Sequence, residues 1–484
     1  MALLETVRAE RLAKIELLKG AGMDAYPART LRTHDVDTFL ENHSVLESNN
    51  EQVVLAGRLL SIREHGASVF VDIFDGTKGQ CFLQRERLGE SSYTLFRNAV
   101  DTGDVLEFSG RPFTTKRGMP SLEVTGWRML AKSLRPLPEA WFGIKDEDER
   151  LRKRYLDILL SKDLADRIKR RSRFWNTIRS YLLERDFIEV ETPVLETTTG
   201  GAEACPFVTH HNALDIDVYL RISVGELWQK RLMVAGIPKT FEIGRVFRNE
   251  GMSAEHAQDY TAMEFYESFK DYEPGMTMVT DLYRTIATQV YGTRTFSIKG
   301  FDIDLDKEWE RYDYCALLKK EYGLDPLDEH ADWPAVLAQK GIAFDSGIDR
   351  GRLVDIAWKQ IRKILSGPGF LINVPVYMEP LAKKSSKDPQ VVERFQIILA
   401  GSEVGKCFSE LNDPVDQAER FARQEKLREA GDEEAQMPDV EFVEALEYGM
   451  PPAFGFGVSE RLFDFFEDIS IREGQIFPLM RPRA

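Results

Sequence analysis

The chain has 484 residues, of which 43% are hydrophobic and 30% are charged. That length is about three times that of a typical single domain, and the composition is that of a folded globular protein, so fibrous and disordered classes are excluded. The 64 Lys and Arg residues against 80 Asp and Glu residues give a net charge of −16, so most of the surface repels a polyanion and any contact with nucleic acid must be local.

The N-terminal segment, 1–50, is predicted to be helical. Residues 3–20 form an amphipathic pattern with apolar side chains on one face, and Gly20 ends the predicted helix. Glu5 and Glu10 interrupt the apolar run that a signal peptide requires, and no apolar run in the chain approaches the length of a membrane span. We therefore expect a cytoplasmic protein without membrane association.

Residues 51–145 change to a two-residue hydrophobic period that predicts a small antiparallel barrel. The runs VVLAGRLLSIR, SVFVDIFDGTKGQCFL and DVLEFSGRPFTTKRGMPSLEV are separated by turns rich in Gly and Asp. About five strands of this kind suit an oligonucleotide-binding (OB) fold, although other small barrels share the pattern. With 13 basic and 11 acidic residues, the segment lacks the acidic excess of the rest of the chain, which indicates two separate roles.

The charged stretch 146–154 is predicted to be a linker, and residues 146–484 as a whole are predicted to form an α+β domain. Helical patterns such as ADRIKRRSRFWNTIRSYLLERD alternate with strand-like runs such as FIEVETPVL and KTFEIGRVFR. The pattern is mostly helical over about 309–366, and strands return at FLINVPVYM. We expect this stretch to be a helical insertion.

Three segments of this domain place charged residues inside apolar strand patterns, where an unpaired charge is costly. They are FEIGRVFRNEG at 241–251, FQIILAGSEVGKCFSELNDPVDQAERF at 395–421 and GFGVSERLF at 455–463. Each segment alone is explained as well by a structural ion pair. Their order along the chain is what makes them candidates for one site.

Taken in this order, the segments resemble those of the class II aminoacyl-tRNA synthetases. IEVETPVLE, FEIGRVFRNEG and GFGVSERL resemble motifs 1, 2 and 3, and TTTGGAEACPFVTHHNALD, SELNDPVDQAERF and LEYGMPP resemble the lysyl-tRNA synthetase family in particular. The resemblance implies an OB-fold anticodon-binding barrel over 51–145 and a class II catalytic domain with an antiparallel sheet over 146–484. It also implies a homodimer with motif 1, around Pro193, at the interface.

The resemblance implies that ATP activates lysine to lysyl-adenylate, from which lysine passes to the 3′ end of tRNA(Lys). The attacking carboxylate is already ionised, so the first step needs cations around the phosphates and no general base. Arg248 and Arg461 are implied as the catalytic cations, and Mg²⁺ is implied as the cofactor, with Glu403 and Glu410 as its ligands. The residues implied to bind ATP are Arg248, Glu250, His256, Tyr260, Glu403 and Arg461.

A lysine substrate requires acidic partners for its ε-ammonium group, because a cation that leaves water must be paired. The residues implied to bind lysine are Gly201, Glu226, Glu264, Tyr266, Lys406, Phe408 and Glu410. In the barrel, the residues implied to read the tRNA anticodon are Arg63, Phe70 and Gln80. Phe70 alternates with Val69 and Val71, so its ring faces away from theirs, as stacking on a base requires.

Several positions depart from the family pattern. Lys406 stands where relatives usually have Asn, and Gln396 replaces a usual metal-binding carboxylate, so the number of metal ions stays open. The spacing differs by one residue before Glu226 and before Arg461, and Cys205 replaces a usual Arg.

Three alternatives stay open from the sequence. A noncatalytic tRNA-binding paralogue would keep the fold, but it has no reason to keep charges such as Arg248 and Arg461 inside strand patterns. An aspartyl- or asparaginyl-tRNA synthetase of the same subgroup is disfavoured by SELND and by the pairing of Tyr266 with Glu410, which resemble a lysine pocket. A ligase that attaches lysine to a protein is disfavoured by the barrel, which such family members lack.

Overall fold

The structure, a computed structural model, describes residues 2–138, 144–251, 253, 256–345, 347–432 and 434–483. It divides into two compact units, one formed by Met1–Arg150 with Tyr155–Leu160 and the other by Leu151–Arg154 with Ser161–Ala484. Among the described residues, no helix combines the length and the apolar character needed to span a bilayer.

The first unit is built around a closed barrel of five strands. The strands are β1 (Val53–His65), β2 (Ser68–Phe74), β3 (Lys78–Gln84), β4 (Val105–Thr114) and β5 (Pro120–Ala131). Their order is β1-β2-β3-β5-β4, with β3 and β5 parallel and the other neighbours antiparallel. The helices are α1 (Ala2–Gly20), α2 (Val36–Glu41), α3 (His43–Ser48), α4 (Arg85–Leu88) and α5 (Glu90–Ala99). The predicted barrel and N-terminal helix are confirmed.

Alternation along the strands decides which side chains fill the barrel. In β2, Val69, Val71 and Ile73 are fully buried, whereas Phe70 is half-buried on the opposite face of the strand. Branched side chains such as these pack well on a pleated surface, which is why the run forms a strand. The orientation of Phe70 expected from the sequence is therefore confirmed.

The stretch predicted to be a linker is helical. Helix α6 covers Glu147–Arg152 and α7 covers Arg154–Leu160. Asp146 Oδ1 accepts a hydrogen bond from the backbone N–H of Glu149 at 2.8 Å, and acidic residues fill the first turn of α6, where they meet the positive end of the helix dipole. The charge in this stretch therefore caps and stabilises a helix.

The second unit contains an eight-stranded sheet. The strands of this unit are β6 (Ile188–Glu189), β7 (Leu195–Glu196), β8 (Val208–His211), β9 (Ile216–Leu220), β10 (Lys239–Phe247), β11 (Asp259–Ser268), β12 (Thr295–Ile298), β13 (Phe301–Asp304), β14 (Glu310–Asp313), β15 (Gly369–Ile372), β16 (Arg394–Leu399), β17 (Ser402–Ser409) and β18 (Ala453–Ser459). The large sheet has the order β14-β15-β16-β17-β18-β11-β10-β6 and is antiparallel except at its two edge pairs. The predicted α+β class with an antiparallel sheet is confirmed.

Helices surround this sheet. They are α8 (Lys162–Leu183), α9 (Glu226–Val234), α10 (Tyr272–Ile286), α11 (Tyr314–Tyr322), α12 (Trp333–Gln339), α13 (Arg350–Ile361), α14 (Pro414–Glu429), α15 (Val440–Glu447), α16 (Arg461–Phe466) and α17 (Ile471–Gly474). Residues 309–366 contain the edge strand β14 followed by α11, α12 and α13. The sheet therefore runs through the middle of the unit, with this helical stretch at one edge.

One face of the sheet packs in the hydrophobic core and the other lines a cavity. Along β11, Met263 and Phe265 are fully buried in the main hydrophobic core, together with residues of α8 and α10. Glu264 and Tyr266 alternate with them and line a cavity. Because successive side chains of a strand point to opposite faces, the core fixes the strand that presents these polar groups.

A buried carboxyl group in α16 makes the stability of this unit depend on pH. Asp464 is 3% exposed, and neither carboxylate oxygen has a hydrogen-bond partner among the described residues. Burial, with Glu460 nearby, raises the pKa of Asp464 well above its ordinary value. The folded state therefore holds a proton that the unfolded state releases above about pH 4, so this stability is present at low pH and is lost as pH rises.

We expect Asp464→Asn to remove this dependence. Between pH 5 and pH 8 the wild-type chain should lose about 1–3 kcal/mol of unfolding free energy relative to the variant, since the amide cannot ionise. Urea unfolding of both proteins across that range measures the difference. Parallel pH profiles for the two proteins would contradict the prediction.

Candidate active site

A cavity of about 470 Å³ opens on the polar face of the large sheet in the second unit. Its wall includes residues of the strands β10, β11, β15, β16, β17 and β18 and of the helices α9, α11, α13, α14 and α16. The cavity brings together charged side chains of both signs from segments far apart in the sequence.

Most of the residues predicted to bind ATP or lysine line this cavity. They are Gly201, Glu226, Arg248, Tyr260, Glu264, Tyr266, Glu403, Lys406, Phe408, Glu410 and Arg461. The structure does not place Glu250 or His256 in the wall. His256 is exposed, with Nδ1 2.7 Å from Ser253 Oγ, and Glu250 is half-buried in the same loop region. Burial raises the pKa of Glu250 and the charge of Arg248 works against that rise, so Glu250 lies near a residue of the cavity wall.

One end of the cavity is cationic. Arg248 directly follows β10, and its Nε and Nη2 each donate to the carbonyl oxygen of Ile222 at 3.3 Å. Its guanidinium carbon lies 5.7 Å from the centroid of the Tyr260 ring, a distance at which the ring face attracts a cation. Arg461 begins α16 just after β18, so two guanidinium groups enter the same space.

The other end is acidic. Glu226, at the start of α9, Glu264 in β11 and Glu410 after β17 all line it. Glu264 accepts a hydrogen bond from the backbone N–H of Val224 at 2.8 Å and another from the hydroxyl of Tyr266 at 2.9 Å. Burial, with Glu226 nearby, raises the pKa of Glu264 to about 7. This end therefore crowds three carboxyl groups into a region with little water, where a bound cation favours their ionised form.

Two glycines leave the space that the acidic end requires. A Cβ atom on Gly455 would collide with Glu410 Oε1 and with the ring of Tyr266. Gly201 has a φ of +85°, and a Cβ atom there would collide with Ser223 Oγ and lie 2.7 Å from Glu226 Cβ. Glu410 Oε1 is buried and has no hydrogen-bond partner among the described residues, so it is an open acceptor beside Gly455.

Lys230 also belongs to the acidic end, and sequence reasoning missed it. Its Nζ lies 2.7 Å from Glu226 Oε1 and 2.5 Å from Glu410 Oε2, and its side chain is 1% exposed. Glu226 and Lys230 stand four residues apart in α9, a spacing that indicates an ion pair. That signal was available in the sequence, but nothing local in the sequence indicated the contact with Glu410.

The two predicted metal ligands are too far apart to hold the same ion. Glu403 and Glu410 lie at opposite ends of β17, and at about 3.3 Å per residue they are too far apart to share an ion. Glu410 contacts Lys230 instead. Among the described residues, no cluster of three or more His, Cys, Asp or Glu side chains forms a ready metal site.

Glu403 lines the cavity at its cationic end. Its Oε1 accepts a hydrogen bond from the indole Nε1 of Trp358, in α13, at 2.7 Å. Gln396, which replaces a usual carboxylate, accepts a hydrogen bond from Arg394. Lys406 Nζ lies 2.7 Å from Glu379 Oε2, so the predicted lysine-binding role of Lys406 competes with an internal ion pair.

The barrel places its predicted residues on one surface. The ring of Phe70 lies 4.4 Å from that of Phe82, and Gln80 Oε1 accepts a hydrogen bond from Ser121 Oγ at 3.0 Å. Arg63 donates to both oxygens of Asp72, at 2.7 and 2.9 Å. Arg63 was predicted as a direct tRNA contact, but the structure gives it an internal carboxylate partner, which orients it and uses two of its donors.

Comparison with known proteins finds a matching family for each of the two units. The family described as tRNA synthetases class II (D, K and N) matches residues 146–481, and the OB-fold nucleic acid binding domain matches residues 53–130. The lysine–tRNA ligase of Fervidobacterium nodosum is 41% identical over 490 residues, which cover 100% of this chain and 95% of the relative. That of Roseiflexus sp. is 42% identical, covering 99% of each chain, and that of Moorella thermoacetica is 41% identical, covering 98% of each.

Proposed function

This chain belongs to the class II tRNA synthetases and acts as a lysine–tRNA ligase, and from that premise we propose that the cavity of the second unit binds ATP at its cationic end and lysine at its acidic end. The observation that carries the proposal is that Arg248 and Arg461 line the same cavity as Glu410. ATP and lysine can then meet where the two ends adjoin.

In the first step, a carboxylate oxygen of lysine attacks the α-phosphorus of ATP, and the bond to the bridging oxygen breaks as pyrophosphate leaves. Negative charge grows on the α-phosphate and on the leaving group. Arg248 offsets the charge between the carboxylate and the α-phosphate, and Arg461 offsets that on the terminal phosphates. Preorganised donors of this kind lower the barrier by about 3–4 kcal/mol. In the second step, a hydroxyl of the 3′-terminal ribose of tRNA(Lys) attacks the adenylate carbonyl, and AMP leaves.

One Mg²⁺ ion fits the carboxylate of Glu403. Mg²⁺ usually keeps several waters and binds one or two carboxylates together with substrate phosphates, so a single protein carboxylate suffices. Trp358 fixes one oxygen of Glu403. Gln396 brings no charge to the donor set, so we propose one protein-held ion here. When bound, Mg²⁺ would neutralise phosphate charge.

The acidic end selects lysine. We propose that Glu410 Oε1 receives the ε-ammonium group, with Tyr266 beside it, and that Glu226 and Glu264 receive the α-ammonium group. Three carboxylates around one pocket repel the side chain of aspartate, and the cation among them, Lys230, is already paired with Glu226 and Glu410. The test is pyrophosphate exchange dependent on lysine, aspartate or asparagine: exchange with lysine is expected, and exchange with either of the others alone would overturn the assignment.

We propose that the barrel reads the anticodon through stacking on Phe70. Phe70→Ala is expected to raise the KM for tRNA(Lys) about 5- to 150-fold, since stacking contributes about 1–3 kcal/mol per base, and to leave lysine-dependent pyrophosphate exchange unchanged. Met119→Ala, at an exposed apolar residue of the same unit, is the control. Loss of exchange in the Phe70 variant would mean that the barrel does not act separately from the chemistry.

We further propose that the chain works in the cytoplasm as a homodimer paired around Pro193. Apolar side chains near that residue are exposed, among them Ile188 at 52% and Leu195 at 50%. Exposed apolar surface of this kind supports a protein interface. Sedimentation analysis tests the dimer, and a monomer at micromolar concentration would contradict it.

A further inference from the structure

Lys230 is a buried cation at the acidic end of the cavity, where we propose that the ammonium groups of lysine bind. It contacts the carboxylates of Glu226 and Glu410, which come from α9 and from the end of β17. Aromatic rings surround its ammonium group, with the centroid of Phe408 at 5.3 Å and that of Tyr266 at 5.9 Å. An ammonium group buried at this depth must be neutralised by the groups around it.

The charges around this position balance in a specific way. When Glu226, Glu264 and Glu410 are all ionised, they and the ammonium group of Lys230 carry a net charge of minus two. Burial raises the pKa of Glu264 and of Glu410, so protons hold part of this charge until a cation displaces them. Free lysine brings two ammonium groups, and its carboxylate faces the cationic end. The contact of Lys230 with Glu410 is at Oε2, which leaves Oε1 open on the side of Gly455.

We propose that Lys230 is the internal counter-cation of the amino-acid pocket, a positioning residue that holds Glu226 and Glu410 and sets the charge of the acidic end to match the two ammonium groups of lysine. This inference rests on the proposed function, because it takes the acidic end as the site of lysine.

A purely helical ion pair does not account for the geometry. Such a pair would be satisfied by Glu226, four residues earlier in α9, whereas Lys230 also reaches a carboxylate on another element. The groups that face Glu410 are Lys230 and Glu226 from α9, and Glu264 and Tyr266 from β11. Burial raises the pKa of Glu410, and Lys230 works against that rise. Without Lys230, a proton is the simplest remaining counter-charge.

The test is Lys230→Met, which keeps the length of the side chain and removes its charge. We expect this variant to take up one proton in the free pocket, which passes to the buffer when the ammonium group of lysine displaces it. Titration calorimetry in buffers of different ionisation enthalpy should therefore find that the variant releases about one more proton on lysine binding than the wild type does. For each unit rise in pH, the lysine KM of the variant should fall by a factor about tenfold larger than that of the wild type. The KM for ATP should stay unchanged.

The first unit offers a matched control. Lys132 is fully buried and lies 2.5 Å from Asp101 and 2.7 Å from Asp104, so it too bridges two carboxylates. Lys132→Met should lower the unfolding free energy without changing the proton release or the pH dependence of the lysine KM. An equal change in both variants would assign Lys230 a structural role only.

Two further variants keep the inference testable. If Lys230→Met does not fold, the double variant K230M/E226Q, which removes one charge of each sign, is expected to fold and to bind lysine weakly without the extra proton release. Extra release in the double variant, or wild-type proton release in Lys230→Met, would overturn the inference. Glu410→Gln separates failure of this inference from failure of the proposed function. If Glu410→Gln impairs lysine binding and Lys230→Met does not, the acidic end binds lysine and the role proposed for Lys230 is wrong.

Discussion

Replacing Arg248 by alanine is expected to lower lysine-dependent pyrophosphate exchange about 100- to 1,000-fold while the chain stays folded. The guanidinium group is anchored at the carbonyl of Ile222 and lies over the Tyr260 ring, so it is held in place before ATP arrives. A preorganised donor aimed at charge that develops in the transition state contributes about 3–4 kcal/mol, which gives this loss. The effect should fall on kcat more than on the KM for lysine, because the amino-acid pocket lies at the other end of the cavity.

Arg245→Ala is the matched control. Arg245 belongs to the same strand, but its side chain is 43% exposed and pairs with Asp259 away from the cavity wall. Exposed pairs of this kind contribute about 0–1 kcal/mol, so this variant should retain nearly full exchange. An equal loss of exchange in both variants would contradict the assigned role. So would a loss of activity in Arg248→Ala that is accompanied by unfolding, as seen by circular dichroism.

The second large effect is expected at the acidic end. Glu410→Gln should raise the KM for lysine about 10- to 150-fold, because a hydrogen bond to a charged group contributes about 1.5–3 kcal/mol and the amide carries no charge. The KM for ATP should change little. Steady-state exchange with lysine and ATP varied separately measures both constants.

Glu267→Gln provides the comparison for Glu410→Gln. Glu267 is also buried, at 3% exposure, and belongs to β11, but it pairs with Lys270 at 2.8 Å outside the cavity wall. Its replacement should affect unfolding free energy and leave the lysine KM unchanged. If both variants raised the lysine KM equally, the change would be a general effect of removing a buried charge and would contradict the lysine-binding role of Glu410.

The fold followed from periodicity, whereas the site followed from resemblance. Alternation predicted the barrel and the orientation of Phe70, since a period of two fixes which face is buried. Periodicity could not predict that 147–152 is helical, because caps and charge decide it there.

The contacts that sequence reasoning missed are those between distant segments. The pairing of Arg63 with Asp72 depends on strand register, and that of Lys230 with Glu410 depends on where α9 lies relative to the residue that follows β17. A local pattern specifies neither. That Glu403 and Glu410 cannot share one ion was missed for the same reason, since a short separation along the chain becomes a long one in an extended strand.

Trp358 connects the helical stretch at the edge of the sheet to the cavity. The indole donates to Glu403, although the two residues belong to α13 and β17. This segment at the edge of the sheet therefore orients the carboxylate that we propose as the Mg²⁺ ligand. Shortening this stretch, or replacing it with the corresponding stretch of a relative, would leave Glu403 without its hydrogen-bond donor unless an equivalent indole is retained.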